Sequence, residues 1–171
     1  MMHLVFGNGV KGDFQYNDHL QISSLRYYNP TAPAGTQDVL NLGYDYTSAA
    51  QAGNNGQIQA VHYYTVPGTE DQTKSESFTY DNWSRLSNAQ TGVVNSTAGT
   101  FNLSWTYDQF GNRLTQHLDG GNVSIGQPQF TVDQNSNRIT NAGYAYDAAG
   151  NMTHDASVAY GYDGAGRMIS A

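Results

Sequence analysis

Apolar and polar residues alternate along several short stretches of the chain. From 101 to 107, aliphatic and aromatic side chains occupy every second position, and Asn, Ser and Thr occupy the positions between them. A period of two sends successive side chains to opposite faces of an extended backbone, so this pattern predicts a half-buried β-strand. Shorter versions of the alternation end at positions 80, 132, 146 and 162. The chain is therefore predicted to be built of short strands.

Each of these stretches continues into a similar segment that is rich in turn-forming residues. The clearest copy is YDQFGNRLT at 107–115, and the others are YDNWSRLS at 80–87, VDQNSNRIT at 132–140, YDAAGNMT at 146–153 and YDGAGRMIS at 162–170. An active site is needed once, whereas a structural unit is copied along an array. Five copies therefore favour a structural interpretation.

The residue types in the copies predict a β-hairpin. The Asp at the end of each strand can accept hydrogen bonds from backbone N–H groups two residues on, which opens the turn. Gly three positions later supplies the positive φ that closes a short hairpin with a bulge, and Ser84 and Ser136 are weaker choices there. The Arg after the turn can reach back to the Asp carboxylate or over the Tyr ring. The residues predicted to form this structural motif are Tyr80, Asp81, Arg85, Tyr107, Asp108, Gly111, Arg113, Asp133, Arg138, Tyr146, Asp147, Gly150, Tyr162, Asp163, Gly166 and Arg167.

The spacing of the copies predicts the domain organisation. Successive copies start 27, 25, 14 and 16 residues apart, which fits hairpins of variable length and excludes a solenoid with a constant rung. Looser copies lie at 14–28, which contains Arg26, and at 42–61, where the turn is swollen with Ala and Gly. We therefore expect residues 1–171 to form a single array, divergent over 1–75 and clear over 76–171, within a longer chain or assembly.

With these copies the chain resembles the YD-repeat or Rhs (rearrangement hotspot) family, bacterial type. The family motif is Tyr-Asp, two variable residues, Gly, Arg or Asn, a branched apolar residue and Thr, and the copies at 107, 146 and 162 match it closely. The chain departs from the motif at Val132, at Ser84 and Ser136, and at Met152, which directly follows Asn151.

The resemblance implies both a fold and a role. The implied fold is all-β, with consecutive antiparallel β-hairpins that form a continuous twisted and spiralling sheet, as a partial YD-repeat shell or barrel. In bacterial Rhs proteins and insecticidal toxin complexes such a shell encloses a toxic C-terminal domain. In animal teneurins it forms a cell-surface adhesion module.

Composition and charge narrow the classes of function. Only 12% of the residues are charged and the formal net charge is −7, so the basic footprint that nucleic acid requires is missing. The chain has no cysteine, which excludes disulfides, zinc–thiolate sites and thiol nucleophiles. No run of about eighteen apolar residues is present, so no membrane span is expected. The low-charge composition is typical of a secreted or cell-surface protein, whose export signal is not in this segment.

Residues that could carry other chemistry are scattered. The five His are 16 to 55 residues apart, without the spacing of a local metal site, so neither a metal nor a cofactor is predicted. The fourteen carboxylates could supply a glycosidase pair, but the Asp of the five copies are assigned to turns. Trp83 stands at a predicted turn tip, where it could contact carbohydrate, whereas Trp105 continues an alternating face and is predicted to be core.

The function predicted from these patterns is structural and non-enzymatic. We expect a segment of a β-shell or tube that houses or displays a toxin or other cargo. Its expected partners are other YD-repeat segments of the same or neighbouring chains and an enclosed C-terminal toxin domain. An extracellular adhesion or carbohydrate-binding module, with surface glycans as partners, remains an alternative, and a carbohydrate-active enzyme is a third hypothesis.

Overall fold

Sixteen β-strands are present in the residues that the structure describes. A computed structural model describes residues 2–49, 52–66 and 68–171, and these contain no helix, hence none that is long and apolar enough to cross a membrane. In chain order the strands are β1 (Met2–Val5), β2 (Lys11–Tyr16), β3 (Ile22–Tyr28), β4 (Asp38–Asp45), β5 (Ala60–Val66), β6 (Thr69–Glu70), β7 (Glu76–Tyr80), β8 (Leu86–Thr91), β9 (Phe101–Tyr107), β10 (Arg113–Gly121), β11 (Val132–Asp133), β12 (Arg138–Ile139), β13 (Tyr144–Tyr146), β14 (Met152–Asp155), β15 (Gly161–Tyr162) and β16 (Met168–Ser170).

The first ten strands form one sheet in which neighbours along the chain are neighbours in space. The order is β1-β2-β3-β4-β5-β7-β8-β9-β10, and β6 pairs with β5 beside this path. Neighbouring strands pair antiparallel: Phe14 lies opposite Leu25, and Ala89 lies opposite both Phe78 and Leu103. Such sequential pairing is what short hairpin connections produce.

The last six strands pair as separate hairpins, β11 with β12, β13 with β14 and β15 with β16. Isolated bridges between Thr115 and Gln129 and between His154 and Ala159 connect successive hairpins. These strands are only two to four residues long. Each therefore has few backbone N–H and C=O groups with which to pair a second neighbouring strand. The prediction of an all-β chain of consecutive antiparallel hairpins is confirmed.

The described chain divides into two compact units. The first contains the described residues up to Trp105 together with His117–Gly126, and the second contains Thr106–Gln116 and Gln127–Ala171. The sequence predicts divergent copies over 1–75 and clear copies over 76–171. That division concerns how well each copy matches the motif, not the compact units, and it stays a prediction. Residues 50 and 51 of the looser copy at 42–61 lie outside the described residues, as does position 67.

Buried apolar side chains are few in this fold. Among the described residues they are Phe14, Ala89 and Leu103. The largest fully buried side chains are those of Thr91 and Thr100, whose hydroxyl groups donate to backbone carbonyls. Polar side chains can be buried at little cost when they are bonded in this way. Most strand residues are half-buried, as expected for a sheet without covering helices.

Candidate functional site: the repeated Asx turns

Four of the five predicted copies close their hairpins with the same hydrogen bonds. The N–H of the Asp donates to the carbonyl four residues later, at 2.8–3.0 Å, and the N–H three residues later donates to the Asp carbonyl, at 2.9–3.3 Å. One carboxylate oxygen accepts from the N–H groups two and four residues later. We call this arrangement the Asx turn. It is opened by Asp81, Asp108, Asp147 and Asp163.

The side chain four positions after the Asp binds the other carboxylate oxygen. Arg85 and Arg167 donate from Nε at 2.6 and 2.8 Å. Asn112 and Asn151 donate from Nδ2 at 2.7 and 2.8 Å. The predicted bond from Arg to the Asp carboxylate is therefore observed where Arg is the fourth residue after the Asp. Where Asn is the fourth residue, its side-chain amide makes the corresponding bond.

Arg113 and Arg138 stand one position later and bind other groups. Arg113 is exposed, and its Nη1 donates to Gln116 Oε1 at 3.2 Å. The guanidinium of Arg138 lies over the ring of Tyr146 in the following copy, 5.3 Å from the ring centroid. The expectation that the Arg reaches back to the Asp of its copy is therefore wrong for Arg113, because Asn112 occupies the position that faces the carboxylate.

The copy that starts at Val132 closes with a longer turn. The Asn137 N–H donates to the Asp133 carbonyl at 2.7 Å, and Asn137 rather than Ser136 has the positive φ, 57°. The Asp133 carboxylate accepts from the N–H groups of Asn135 and Ser136, at 3.2 and 3.1 Å, and from the Ser136 hydroxyl. The expected positive φ at Ser136 is therefore wrong. Asn tolerates the left-handed conformation better than most residues, which explains the shift by one position.

A positive φ closes the other turns. Gly111, Gly150 and Gly166 have φ of 91°, 96° and 74°, and Ser84 has 63° at the same position. Gly enters this conformation without the steric cost that a Cβ imposes. A shift of register beside the Tyr marks a β-bulge in the hairpins β7–β8, β13–β14 and β15–β16. The predicted short hairpin with a bulge is confirmed in these three hairpins, whereas the hairpin β11–β12 pairs without a register shift.

A further Asx turn lies in the looser copy at 14–28, where sequence analysis missed it. Asn17 Oδ1 accepts from the N–H groups of His19 and Gln21, both at 3.0 Å, and Asn17 Nδ2 donates to Gln21 Oε1 at 2.8 Å. Leu20 has the positive φ, 61°, and its side chain is exposed. The signal in the sequence is a Tyr-Asn pair followed by Gln four positions after the Asn.

Two of the Tyr that precede the Asx turns bind the backbone of the neighbouring segment. The Tyr80 hydroxyl donates to the Ile58 carbonyl at 2.7 Å. The Tyr146 hydroxyl accepts from the Ile139 N–H at 3.0 Å. In these copies the Asp closes its own hairpin and the Tyr fixes the hairpin to the segment beside it.

Neighbouring turns of the second compact unit also contact each other through their side chains. Asn112 Nδ2 donates to Asn137 Oδ1 at 2.6 Å, and Gln109 Nε2 donates to Gln134 Oε1 at 3.3 Å. The side chain of Asn112 therefore bonds both its own turn and the turn of the following copy.

Hydrogen bonds within the turns favour the ionised form of the repeat carboxylates. The side chain four positions later makes the largest contribution that lowers the pKa of Asp108 and Asp147 below the ordinary value. At Asp163 the N–H of the fourth residue has the largest effect in the same direction. At Asp81 burial is the largest effect and raises the pKa, but the bonds from Arg85 outweigh it. Each of these Asp carboxylates accepts hydrogen bonds within its own turn. We therefore do not regard them as candidates for a glycosidase pair.

Trp83 stands at the tip of the Asp81 turn and is 64% exposed. The guanidinium of Arg85 lies 4.5 Å from its ring centroid. Trp105, which was predicted to be core, is half-buried in β9. A polar pocket of about 320 Å³ is lined by Ser48, Asn55, Gln57 and Gln59 on one side and by residues of the Asp81 turn on the other. The exposed indole beside this polar pocket is a candidate ligand-binding arrangement among the described residues.

His62 bridges two carboxylates in the first compact unit. Its Nε2 lies 2.9 Å from Asp45 Oδ2, and its Nδ1 lies 2.7 Å from Glu70 Oε1. Burial lowers the pKa of His62, but the two carboxylates outweigh burial and hold the pKa above its ordinary value. Among the described residues no group of His, Cys, Asp and Glu is placed to hold a metal ion.

Comparison with solved structures gives the same fold. A chain in the structure of the Photorhabdus luminescens Tc holotoxin pore matches 98% of this chain with a TM-score of 0.71 and 16% sequence identity. A chain in the TcdB2–TccC3 crystal structure matches 98% with a TM-score of 0.59 and 15% identity. The match covers only 9% and 10% of those chains. No protein-family model matches the sequence, and no curated protein does.

Both compared structures are of Tc toxin complexes, whose matched chains are YD-repeat proteins. The identity is low, so the likeness concerns the fold. The repeated Tyr-Asp turns and the likeness in structure agree on that fold. This chain therefore has the β-hairpin fold of the YD-repeat chains of Tc toxin complexes, as the resemblance in sequence implied.

Proposed function

We propose that the chain is a structural, non-enzymatic segment of a YD-repeat β-shell that houses or displays a toxin or other cargo. The observation that supports the proposal is the recurrence of the Asx turn. In each of these turns, hydrogen bonds between the Asp and the fourth residue after it close the hairpin. The chain spans about a tenth of the toxin-complex chains that it matches, as a segment of such a shell would. An extracellular location goes with this role.

Protease protection in the full-length polypeptide that contains this segment tests the housing role. A domain enclosed by the shell should resist protease while the shell is intact. The double variant Asp108→Ala/Asp147→Ala, which opens two Asx turns, should make that domain accessible. Asp18→Ala is the matched control, because Asp18 is exposed and lies beside the turn residue Asn17. A full-length polypeptide without an enclosed domain, or equal cleavage of all three proteins, would contradict the proposal.

The expected protein partners are other YD-repeat segments. β1 pairs with β2 alone among the described strands, and all four of its residues are exposed. Such an edge offers unpaired backbone groups to a further strand. We infer that isolated copies associate through it. Light scattering and negative-stain imaging that show only compact monomers would exclude this association.

The second candidate function is an adhesion or carbohydrate-binding module. It is favoured by the exposure of Trp83 at a turn tip. The guanidinium of Arg85 covers one face of this indole, and the ring is 64% exposed, which leaves its other face for the apolar face of a sugar. A glycan array tests this candidate: binding that Trp83→Ala reduces would support it, and the absence of any signal would exclude it.

A further inference from the structure

Two Asn-Gly pairs lie in connections between strands of the first compact unit. They are Asn8-Gly9, between β1 and β2, and Asn55-Gly56, between β4 and β5, and all four residues are exposed. An asparagine side chain can be attacked by the backbone nitrogen of the residue that follows it. Gly obstructs this attack least, because it has no Cβ and accepts many backbone conformations. The two pairs therefore share the same chemistry, and the structure distinguishes between them.

The reaction is a spontaneous deamidation that needs only water. The Gly nitrogen loses its proton to solvent and bonds to the Asn Cγ, while the Nδ2 amine takes a proton from water and leaves as ammonia. The five-membered succinimide ring that remains is opened by water at either of its two carbonyl groups. One opening gives aspartate. The other gives isoaspartate, in which the main chain runs through the side-chain carbon.

Both Asn side chains are held in the same orientation. Asn8 Oδ1 accepts from the N–H of Val10 at 3.2 Å, and Asn55 Oδ1 accepts from the N–H of Gln57 at 3.1 Å. A donor at this oxygen stabilises the negative charge that develops there when the nitrogen adds to Cγ. Since both pairs have this contact, it favours the reaction at both and does not separate them.

The nitrogen that must attack is held differently in the two pairs. The Gly9 N–H donates to the Phe6 carbonyl at 2.9 Å, and the Phe6 N–H donates to the Val10 carbonyl at 2.9 Å, so these backbone bonds close the β1–β2 hairpin. The Gly56 N–H donates at 2.9 Å to Oδ1 of Asn54, which is a side-chain amide. The hairpin turn must open before Gly9 can attack, whereas Gly56 has to give up one side-chain bond.

Other side chains held in this orientation lack one requirement of the reaction. Asn95 Oδ1 accepts from the N–H two residues later at 2.7 Å, but the next residue is Ser96, whose Cβ hinders the attack. Asp163 is followed by Gly164 and accepts from the N–H two residues later at 2.9 Å. Hydrogen bonds from Arg167 hold the pKa of Asp163 below its ordinary value. Its carboxylate is therefore ionised near neutral pH, and an ionised carboxylate resists addition of a nucleophile.

We propose that Asn55 is a site of spontaneous deamidation in the folded protein, and that the β1–β2 hairpin protects Asn8 from the same reaction. The exposure of the Asn55-Gly56 pair and the side-chain bond at the Gly56 nitrogen carry the first part. The backbone bond at the Gly9 nitrogen carries the second. The inference requires neither the shell nor a bound carbohydrate.

The reaction at Asn55 would alter a segment that links two turns. Asn54 Nδ2 donates to Gln21 Oε1, in the turn opened by Asn17, at 2.7 Å. The carbonyl of Ile58 accepts from the hydroxyl of Tyr80, beside the Asp81 turn, also at 2.7 Å. Asn55 Nδ2 itself donates to the side chain two residues later at 2.6 Å. A carboxylate has no proton to donate there, and isoaspartate lengthens the main chain by one carbon, so deamidation should loosen both links.

Peptide mapping by mass spectrometry, with chromatography that separates aspartyl from isoaspartyl peptides, measures the reaction at both positions in one sample. The chain is incubated in mildly alkaline buffer, once folded and once unfolded in urea. Isoaspartate is the diagnostic product, because direct hydrolysis of the side-chain amide gives aspartate alone. Asn55→Gln is the matched variant: it keeps an amide, but its longer side chain disfavours closure of the ring. It should remove the isoaspartate at position 55 and leave the reaction at Asn8 unchanged.

We expect isoaspartate to form at Asn55 of the folded chain at least about fivefold faster than at Asn8, which is the factor that one hydrogen bond contributes. In urea the two rates should converge, because the hairpin is lost and Gly follows both asparagines. Equal rates in the folded chain, or a faster reaction at Asn8, would overturn the protection by the hairpin. A folded chain that forms no isoaspartate at Asn55 would overturn the site. None of these results bears on the shell.

Discussion

The side chain of Asn17 binds both the backbone N–H and the side-chain amide of Gln21, at 3.0 and 2.8 Å. A neutral amide here does what a carboxylate does in the Tyr-Asp copies. The backbone of the Asx turn therefore needs an oxygen acceptor at its first position. The negative charge of Asp adds a contribution that depends on pH.

Acid should destabilise the fold by protonating the turn carboxylates. The folded pKa of Asp108 lies below the ordinary 3.8. Its contribution to stability is therefore fully present above the unfolded pKa and is lost as the pH falls through the folded pKa. Asp108→Asn keeps the acceptor, as at Asn17, and removes the titration. We expect this variant to lose less stability than wild type as the pH falls below the ordinary Asp pKa of 3.8, in denaturant unfolding.

Two comparisons make this test specific. Asp108→Ala removes the acceptor as well as the charge, so it should lower the unfolding midpoint at every pH. Asp18→Asn removes a carboxylate that lies next to an Asx turn without taking part in it, and should leave the acid transition unchanged. An Asp108→Asn variant with the acid transition of wild type would show that charge at this position does not contribute to stability.

Backbone conformation, and not space, should decide the effect of Ala in the last Asx turn. Gly166 has φ of 74°, and the nearest atom to an added Cβ would be at 3.6 Å, an ordinary contact. Gly164 lies in the same turn without a positive φ and with open space around it. We expect Gly166→Ala to lower the free energy of unfolding by about 1 kcal/mol. Gly164→Ala should be neutral or stabilising by up to about 1 kcal/mol. Equal effects in urea unfolding would refute the conformational explanation.

The Arg residues should rank by the burial of their partners, not by their membership of the repeat. Arg26 binds Asp38, whose side chain is 2% exposed, at 2.6–2.7 Å. Arg26→Ala leaves this carboxylate without its cation and should cost about 3 kcal/mol. Arg113→Ala removes an exposed contact and should change stability by less than about 0.5 kcal/mol. Arg85→Ala should fall between them, because the side chain of its partner Asp81 is 25% exposed. Thermal unfolding in which Arg113→Ala is the most damaging change would contradict this order.

The sequence predicted the hairpins because their signals are local. A period of two, an Asp at the strand end and a Gly at the positive φ all act within about ten residues, and the turns at Asp108, Asp147 and Asp163 follow them. The turn at Asn17 was not predicted because it has Asn in place of Asp and Leu20 in place of Gly, the two residue types by which the copies are recognised.

Other features depend on contacts that the repeat pattern does not contain. The positive φ lies at Asn137 rather than Ser136 because this turn closes from the N–H of the fourth residue after Asp133, and that residue is an Asn. The polar pocket beside the Asp81 turn joins residues from different hairpins. Arg26 pairs with Asp38 on the neighbouring strand, 12 positions along the chain. A pattern that repeats along the chain predicts each hairpin, but it does not predict which side chains of neighbouring hairpins meet.

His62 should make stability fall as the pH rises past neutrality. Its folded pKa lies above the ordinary 6.5, because Asp45 and Glu70 outweigh burial. The contribution of the protonated ring is therefore fully present below pH 6.5 and is lost as the pH rises through the folded pKa. His62→Gln should abolish this loss, which thermal unfolding at intervals above pH 6 would measure. His19→Gln changes an exposed histidine at a turn and should keep it. If stability is constant from pH 6 upward in wild type, the two carboxylates do not hold a proton on His62.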